Sequence, residues 1–449
     1  MQAEQICMVV DNALAQARIS RQVARPKPLA RFAPFRVSPT PYQISTAQYH
    51  HLVELGYWLR DFYWAMDKLY RWSQAGLAPA FVARHLDVGK PEWLLRLAGA
   101  DAFRQQIPLV IRPDLLLTEQ GFRATELDAV PGSIGLLAFL ENVYRACGFQ
   151  LLGEEPTQAA FLAALLHLAN GEAAAIAFSE ECLPYQRETT WLSQRWSETG
   201  QTLPTVRVED LVLDASGVAL RGKRLGLIYR FFELFDLDNI PGANQLLELA
   251  AAGKVRLTAP PKPHLEEKMW FAWLHHPELA TYWRQLLPEK AYYGLKRLIP
   301  ETWLITDDPQ AFAGGPFGSW EALRSCSRKQ RNFVLKPSGF SPQAWGGRGF
   351  SRGKDYGSRR WMETLDGLRT GPPYVLQEYL RSVPLETAYF DFNSRRLIGF
   401  TGKLRLCPYY FIVGDQVRLS GALATIVPLE KPIIHGMTEA VMVPTAVAD

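Results

Sequence analysis

The chain has 449 residues, about three times the ~150 residues of a typical domain, so two or three domains around a substantial core are expected. Hydrophobic residues make up 48% and charged residues 21%, which excludes a disordered, collagen-like or disulfide-scaffold chain. The net charge of +4 is too small to indicate a nucleic-acid partner.

Cysteine usage and hydropathy indicate the compartment. The five cysteines are scattered without a Cys-x-x-Cys pair, so no zinc site or thioredoxin motif is visible, and an odd, sparse count suits a reducing compartment. Glu4 and Asp11 interrupt the N-terminal sequence, which lacks the apolar core of a secretory signal. The longest uncharged stretch, 159–171, is shorter than the ~20 residues of a membrane span. We expect a soluble cytoplasmic protein without a membrane segment.

In chain order, the first predicted elements are helical. Residues 3–24 are predicted to form a helix, and the proline-rich basic stretch 26–41 is predicted to be an extended arm, because a residue that precedes proline disfavours helix. Residues 45–110 are predicted to be mostly helical. Within 106–135, two β-rich runs separated by Thr-Glu-Gln-Gly predict a hairpin.

The later part of the chain mixes strands and helices. Apolar strands alternate with helices over 155–260, which is typical of a parallel α/β unit. Residues 264–300 are predicted to be helical. Further strands are predicted at NFVLKP and YVLQEYL, and short strands separated by turns are predicted over 386–428.

The predicted hairpin brings acidic residues together. A three-residue loop, 119–121, with Gly121 in the left-handed position would place Asp114 opposite Glu126 and Arg112 opposite Asp128 on one sheet face. Like charges opposite one another destabilise a hairpin, and Arg112 is one positive charge against three carboxylates. A magnesium ion would satisfy these carboxylates. The alternative is a solvated hairpin with a local Arg112 salt bridge.

A second group of candidate residues follows the strand NFVLKP. Lys336 ends this strand, and the next residues include Gly346, Gly347 and Gly349, which allow backbone N–H groups to approach phosphate oxygens. Ten basic residues and a single acidic residue lie between positions 324 and 360, an imbalance that a polyphosphate ligand explains. The order of a P-loop is absent.

Two other interpretations of this basic stretch stay open. One is an ordinary flexible surface loop. The other is a nucleic-acid groove in which Trp345 and Phe350 stack on bases, and it ranks lower because the net charge is small. A third element, the apolar strand YVLQEYL, carries Gln377 and Glu378 and could present backbone groups to an adenine edge.

Together these segments resemble the circularly permuted ATP-grasp family, which includes glutathionylspermidine synthase-like carboxylate–amine ligases. RPD…ELDAVPGS is similar to the family's magnesium-binding segment, KPS…GGRGF to its lysine strand and glycine-rich lid, and YVLQEYL to its adenine hinge. The carboxylates precede Lys336 and Gln377, which is the order of the permuted group. The resemblance covers about 105–430. Two departures are Asp128, where the family usually has Asn, and the eight residues between Pro337 and Gly346.

The resemblance implies an α/β (α+β) fold: a circularly permuted ATP-grasp fold with a Rossmann-like pre-ATP-grasp domain and extra N-terminal helices. The expected divisions are an N-terminal helix and arm (1–45), a helical region with the metal-binding hairpin (46–150), the Rossmann-like domain (151–262) and the nucleotide-binding part (263–449).

The resemblance also implies an ATP-dependent carboxylate–amine ligase that works through an acyl phosphate, with ATP and Mg²⁺, small-molecule acid and amine substrates, and no nucleic-acid or membrane partner. Alternatives are a degenerate nucleotide-binding protein and a phosphotransferase on the same scaffold. Oligomeric state is left open. The implied residues are Arg112 and Arg405 for catalysis; Lys268, Lys336, Gly346, Gly347, Arg348, Gly349, Gln377 and Glu378 for ATP; and Asp114, Glu126 and Asp128 for metal.

Arg230 has two interpretations. It either holds a substrate carboxylate or forms a salt bridge at the end of its strand. Arg405 is placed by the resemblance in a late strand where the family has a basic residue on the transferred phosphoryl group.

Overall fold

The computed structural model describes residues 2–17, 35–344, 347–436 and 438–448. In these residues the α-helices, α1 to α14 in chain order, are Ala3–Ala17, Thr46–Gln74, Phe81–Asp87, Glu92–Ala98, Ile134–Ala146, Thr157–Ala169, Gln186–Glu198, Ala243–Ala251, Met269–His275, Ala280–Leu286, Glu289–Leu298, Pro309–Phe312, Trp320–Ser325 and Ser358–Arg369.

The strands of the same residues, β1 to β18, are Tyr42–Ile44, Val110–Thr118, Gly121–Asp128, Ala174–Phe178, Thr205–Arg207, Val212–Asp214, Gly217–Leu220, Lys223–Leu225, Leu227–Phe231, Arg256–Thr258, Thr302–Ile305, Phe333–Pro337, Ser351–Arg352, Tyr374–Glu378, Leu385–Asp391, Arg396–Val413, Gln416–Pro428 and Val441–Val447.

The largest sheet joins distant parts of the chain. Its order is β1-β18-β17-β16-β2-β3, with β15 also paired to β16, and only the β1–β18 pair is parallel. The strands and turns predicted over 386–428 are present, but the prediction that the strands are short is wrong for β16 and β17, which are 18 and 13 residues long. Pro408 lies inside β16 opposite Ala422, although proline usually indicates a strand edge or a break.

The parallel α/β unit predicted for 155–260 is confirmed. Strands β10-β9-β4-β5 pair in parallel in that order. All five residues of β4 and of β9 are buried, as expected for strands covered on both faces. The segment TVRVEDL is extended only over Thr205–Arg207 and then forms a 3-10 turn.

Two smaller sheets complete the architecture. Strands β11-β14-β12-β13 form an antiparallel sheet, the small sheet, with α13 and α14 packed on its own hydrophobic cluster. Strands β6-β7-β8 form a three-stranded meander within the parallel unit. The helical predictions for 45–110 and 264–300 are confirmed by α2–α4 and α9–α11. In the first predicted helix, α1 ends at Ala17, and residues 18–34, which include most of the predicted arm, lie outside the described ranges.

The acidic hairpin, formed by β2 and β3, has the predicted residue pairs, but a different turn and a bulge produce them. Asp114 lies opposite Glu126 and Arg112 opposite Asp128. The predicted three-residue loop is wrong, because Thr118 pairs with Gly121, which leaves a two-residue turn. A bulge at Thr125 restores the register, since Leu115 faces Ala124 while Asp114 faces Glu126.

Across the described residues, every helix is too short or too polar to cross a lipid bilayer.

Candidate functional site

One cavity of about 580 Å³ collects most of the predicted site residues. It lies among the face of the large sheet, the small sheet, and the carboxyl end of β9. Eleven predicted residues line it: Arg112, Asp114, Glu126, Asp128, Lys268, Lys336, Gly347, Arg348, Gln377, Glu378 and Arg405. Segments more than 250 residues apart in sequence therefore converge on one volume.

Asp114 is the most deeply held carboxylate of the hairpin and is only 5% exposed. Arg112 Nε donates to its Oδ1 at 3.0 Å, Arg405 Nη1 donates to its Oδ2 at 3.0 Å, and the Cys407 thiol lies 3.3 Å from Oδ1. Burial raises the pKa of Asp114, but the two guanidinium groups outweigh it and lower the pKa to about 2. Asp114 is therefore ionised at neutral pH.

The other two hairpin carboxylates also have basic partners. Glu126 Oε1 lies 2.7 Å from Lys268 Nζ, and Asp128 Oδ2 lies 3.0 Å from Arg112 Nη2. The expectation of one arginine against three carboxylates is therefore wrong, because Arg405 and Lys268 add two charges. We call Asp114, Glu126 and Asp128 the carboxylate cluster. In the part of the chain that the structure describes, no three His, Cys, Asp or Glu side chains are arranged to hold a metal by themselves.

Lys336 differs from Arg112, Lys268, Arg348 and Arg405, each of which has a carboxylate partner, and resembles Lys403, which also lines the cavity without an ion pair among the described residues. Lys336 Nζ donates to the backbone oxygen of Thr125 at 3.0 Å and to Gln377 Oε1 at 2.9 Å, and among the described residues it forms no ion pair. The Thr125 carbonyl belongs to the hairpin bulge, which explains why it is free of the strand ladder. Burial lowers the pKa of Lys336 to about 8. We call Lys336, Thr125 and Gln377 the lysine site.

Gln377 reaches this site through its side chain. Strand β14 pairs with β11 on one side and β12 on the other, so its backbone is largely committed to the sheet. The Gln377 side chain is 2% exposed and also lies 3.4 Å from the hydroxyl of Thr302. Glu378, the next residue, lines the cavity and lies 3.7 Å from Arg123.

The glycine-rich loop contributes only part of what was predicted. Gly347 lines the cavity with a positive φ of 74°, a conformation that favours glycine. Arg348 also lines it and forms an ion pair with Glu181 at 3.0 Å. Gly349 is not in the lining, and a side chain there would meet the Pro337 ring. Gly346 and Trp345 lie outside the described residues.

The structure does not place Arg230 where it could hold a substrate carboxylate. Arg230 is fully buried behind the cavity, where its guanidinium pairs with Glu266 and donates to the backbone oxygens of Phe232 and Ala259. Arg230 does not line the cavity. The interpretation as a salt bridge at the end of its strand therefore fits, and direct contact with a substrate does not. The ion-pair partner of Arg230, Glu266, does line the cavity.

Sequence reasoning missed two acids that follow the parallel strands, Glu233 after β9 and Glu266 after β10. Glu233 and Glu266 both line the cavity. Burial raises the pKa of Glu233 to about 8, and the charges of Glu266 and Asp128 act in the same direction. Burial also raises the pKa of Glu266. The position of these acids after predicted strands could have identified them, because ligands of open α/β sheets bind beyond the carboxyl ends of parallel strands.

Cys407 and Tyr409 were also missed. With Arg405 they alternate along β16, so a period of two would have placed all three on one face. The Tyr409 hydroxyl donates to the Gly132 oxygen at 2.6 Å, and Arg112 Nη1 donates to the same oxygen at 3.2 Å. These bonds fix the segment that follows the carboxylate cluster.

Comparison with known proteins shows the fold. No protein-family model and no curated protein matches the chain. Among solved structures, it is similar to a glutathione synthetase-like effector from Globodera pallida in apo form, with a TM-score of 0.59 and 11% identity over 99% of this chain and 97% of that chain. A provisionally named gamma-glutamylcysteine synthetase from Methylobacillus flagellatus KT aligns over 80% and 84% of the two chains at 12% identity, with a TM-score of 0.41. The effector shares the fold over nearly the whole chain.

Proposed function

We propose that this chain is an ATP-dependent carboxylate–amine ligase of the circularly permuted ATP-grasp type. The observation that carries the proposal is Lys336, whose half-buried ammonium group forms no ion pair among the described residues and faces the cavity of the carboxylate cluster. A buried charge is costly unless it is paired, so this position favours an anionic ligand. The fold shared with a glutathione synthetase-like effector supports the same class.

The residues fit a polyphosphate. Lys336, Lys268 and Arg348 line the cavity, and Gly347 brings backbone to its wall. Arg405 adds a donor, because its Nε is buried without a hydrogen-bond partner among the described residues. Asp114 and burial act on the Arg405 pKa in opposite directions, and the net direction is upward, so the guanidinium stays charged. We assign Lys336, Lys268, Arg348, Gln377 and Glu378 to the nucleotide.

The donor chemistry also fits magnesium. Mg²⁺ is usually held by one or two carboxylates together with substrate phosphate oxygens, so a set of three protein carboxylates is not required. Glu126 and Asp128 line the cavity and are 35% and 31% exposed at their side chains. We assign them, with Asp114 behind them, to the ion, which would neutralise phosphate charge when bound.

The reaction follows from these groups. A carboxylate oxygen of the acid substrate attacks the γ-phosphorus of ATP, the bond to ADP breaks, and an acyl phosphate forms. The amine then attacks the acyl carbon, loses a proton, and displaces phosphate. Phosphoryl transfer depends on positioning and on charge stabilisation, which Arg405, Arg112 and Lys336 provide. Arg112 is held by Asp114 and Asp128, so its guanidinium is oriented before substrate arrives.

The test measures ADP release, followed with a coupled assay, in the presence of pools of carboxylic acids and amines. A ligase releases ADP only when ATP, an acid and an amine are all present. ADP release with an acceptor but without an amine would identify a phosphotransferase. Nucleotide binding without turnover across the pools would identify a degenerate binding protein, and either result would overturn the ligase. A steep decrease of binding with salt on a nucleic acid would indicate the groove instead.

A further inference from the structure

The cavity has two chemically different ends. The nucleotide and ion residues occupy one end. The other end is lined by apolar side chains from four separate segments, and we call it the apolar end: Leu14, Phe35, Leu423, Ile434 and Met442. Leu14, Phe35, Leu423 and Met442 are each less than 9% exposed, so this end is enclosed within the protein.

We call the face of the large sheet that lines the cavity the floor. The strand register shows where its side chains change from charged to apolar. Glu126 lies opposite Asp114 on the hairpin, and the Cys407 thiol contacts the Asp114 carboxylate from β16. Cys407 lies directly opposite Leu423 on β17, and Leu423 lies opposite Pro444 on β18. Residues directly opposite share a face of the sheet. The floor therefore passes from charged to apolar between β16 and β17.

A second row of paired residues across β16, β17 and β18 gives the distance between the charged and apolar residues of the floor. Arg405 lies opposite Thr425, and Thr425 lies opposite Met442. Since neighbouring strands are about 4.8 Å apart, Met442 lies about 10 Å from Arg405 along the floor. Thr425, between them, is fully buried and is not part of the lining. A molecule whose carboxylate meets Arg405 would extend its other end over Leu423 and Met442.

We propose that the acid substrate carries a hydrophobic body, an aliphatic chain or an aromatic group, that fills the apolar end while its carboxylate faces Arg405. This inference rests on the proposed ligase function and names its substrate class. Enclosed apolar walls with a few convergent polar groups are the usual lining of a small-molecule site. A small polar acid such as glycine would occupy only the part of the cavity near Arg405 and would leave the apolar end unfilled.

The experiment measures binding of straight-chain carboxylates by calorimetry, with and without Mg·ATP. Butanoate, hexanoate and octanoate are the probes, and octylamine is the charge control. We expect each added methylene group to tighten binding about fourfold, and octylamine to bind less tightly than octanoate. Affinity independent of chain length, or tighter binding of octylamine, would overturn the proposal.

Variants of one strand separate the cavity from general stability. Met442→Ala widens the apolar end and should move the preferred chain length upward, whereas Met442→Trp should weaken octanoate at least tenfold while leaving butanoate within twofold. Val443→Ala is the matched control, because Val443 is the next residue of β18, is 1% exposed, and does not line the cavity. If Val443→Ala changes the preference as much as Met442→Ala does, the proposal is wrong.

ATP binding is measured on each variant in parallel. If ATP binds to the wild type and chain length has no effect, the apolar end is wrong and the nucleotide site stands, so the ligase is then decided by ADP release alone. If ATP does not bind to the wild type while octanoate does, the ligase is wrong and the hydrophobic site stands.

Discussion

The carboxylate cluster and the lysine site face the same cavity, but their charges are balanced differently. Asp114 has two guanidinium partners, Arg112 and Arg405, and its pKa is lowered to about 2 despite its burial. Among the residues that the structure describes, Lys336 has only neutral oxygens as partners, and burial lowers its pKa to about 8. Asp114 is charge-balanced by the protein alone, whereas Lys336 is balanced only with an anion.

This difference separates structural from ligand-binding charges. Removing one member of a buried ion pair leaves its partner unpaired and destabilises the fold. Removing a half-buried ammonium that has hydrogen bonds but no ion pair leaves no opposite charge unpaired, so it should affect binding more than folding. The two regions therefore predict opposite patterns for stability and for ligand affinity.

The largest expected effect is that of Asp114→Asn. This change leaves Arg112 and Arg405 buried near one another without their shared carboxylate, so we expect a loss of about 3–5 kcal/mol in the free energy of unfolding. Denaturant unfolding with guanidinium chloride measures it. ADP release should also be lost at temperatures where the variant is folded.

Asp366→Asn is the matched control, because Asp366 pairs with Arg324 through both carboxylate oxygens at the surface. It should cost less than about 1 kcal/mol. Equal losses in the two variants would contradict a structural role for the carboxylate cluster.

The next effect is that of Lys336→Met. We expect ATP affinity to fall about tenfold or more, since charge-assisted hydrogen bonds to phosphate are lost, while the free energy of unfolding changes by less than about 1 kcal/mol. Calorimetric titration and denaturant unfolding give the two numbers. Lys329→Met, at an exposed lysine of the same basic stretch, should leave ATP affinity within about twofold. If Lys329→Met weakens ATP as much as Lys336→Met, general basicity explains binding.

The pH dependence of ATP affinity is a third, smaller effect. Since the pKa of Lys336 is about 8 in the free protein, its ammonium is protonated below this pH and becomes neutral above it. A bound anion favours the protonated form, so ATP affinity should be constant from pH 6.5 to 7.5 and should decrease as the pH rises through 8. The decrease should be absent in Lys336→Met. A decrease of the same size in both proteins would place the titrating group elsewhere.

The fourth effect concerns Glu233, whose pKa is raised by burial from 4.5 to about 8. The folded protein keeps a proton that the unfolded chain releases above pH 4.5, so this group's contribution to stability is present below that pH and is lost as pH rises through 8. Glu233→Gln should therefore raise the melting temperature relative to wild type more at pH 8.5 than at pH 5. A constant difference between the two pH values would contradict the raised pKa.

Local spacing predicted the hairpin pairs and the parallel unit, because both depend on short-range alternation and turn residues. The Thr125 bulge was not predictable, since the predicted three-residue loop already satisfied the same pairing. The partners of the carboxylate cluster were also beyond local reasoning. Arg405 is 291 residues from Asp114, and only the order of strands in the large sheet brings them together.

Arg230 shows a further limit of local reasoning. An arginine at the end of a buried strand has the chemistry of a carboxylate ligand whether it faces a cavity or a wall of backbone oxygens. Its bonds to Ala259 and Glu266 depend on the loop that follows β10, whose path the sequence pattern does not define.

The most direct measurement is a calorimetric titration of the wild-type protein with ATP at pH 7, with and without Mg²⁺. We expect one ATP per chain, with tighter binding when Mg²⁺ is present, because phosphate oxygens and the carboxylate cluster would share the ion. Absence of binding at millimolar ATP in both conditions would contradict a nucleotide site at Lys336 and, with it, the proposed ligase.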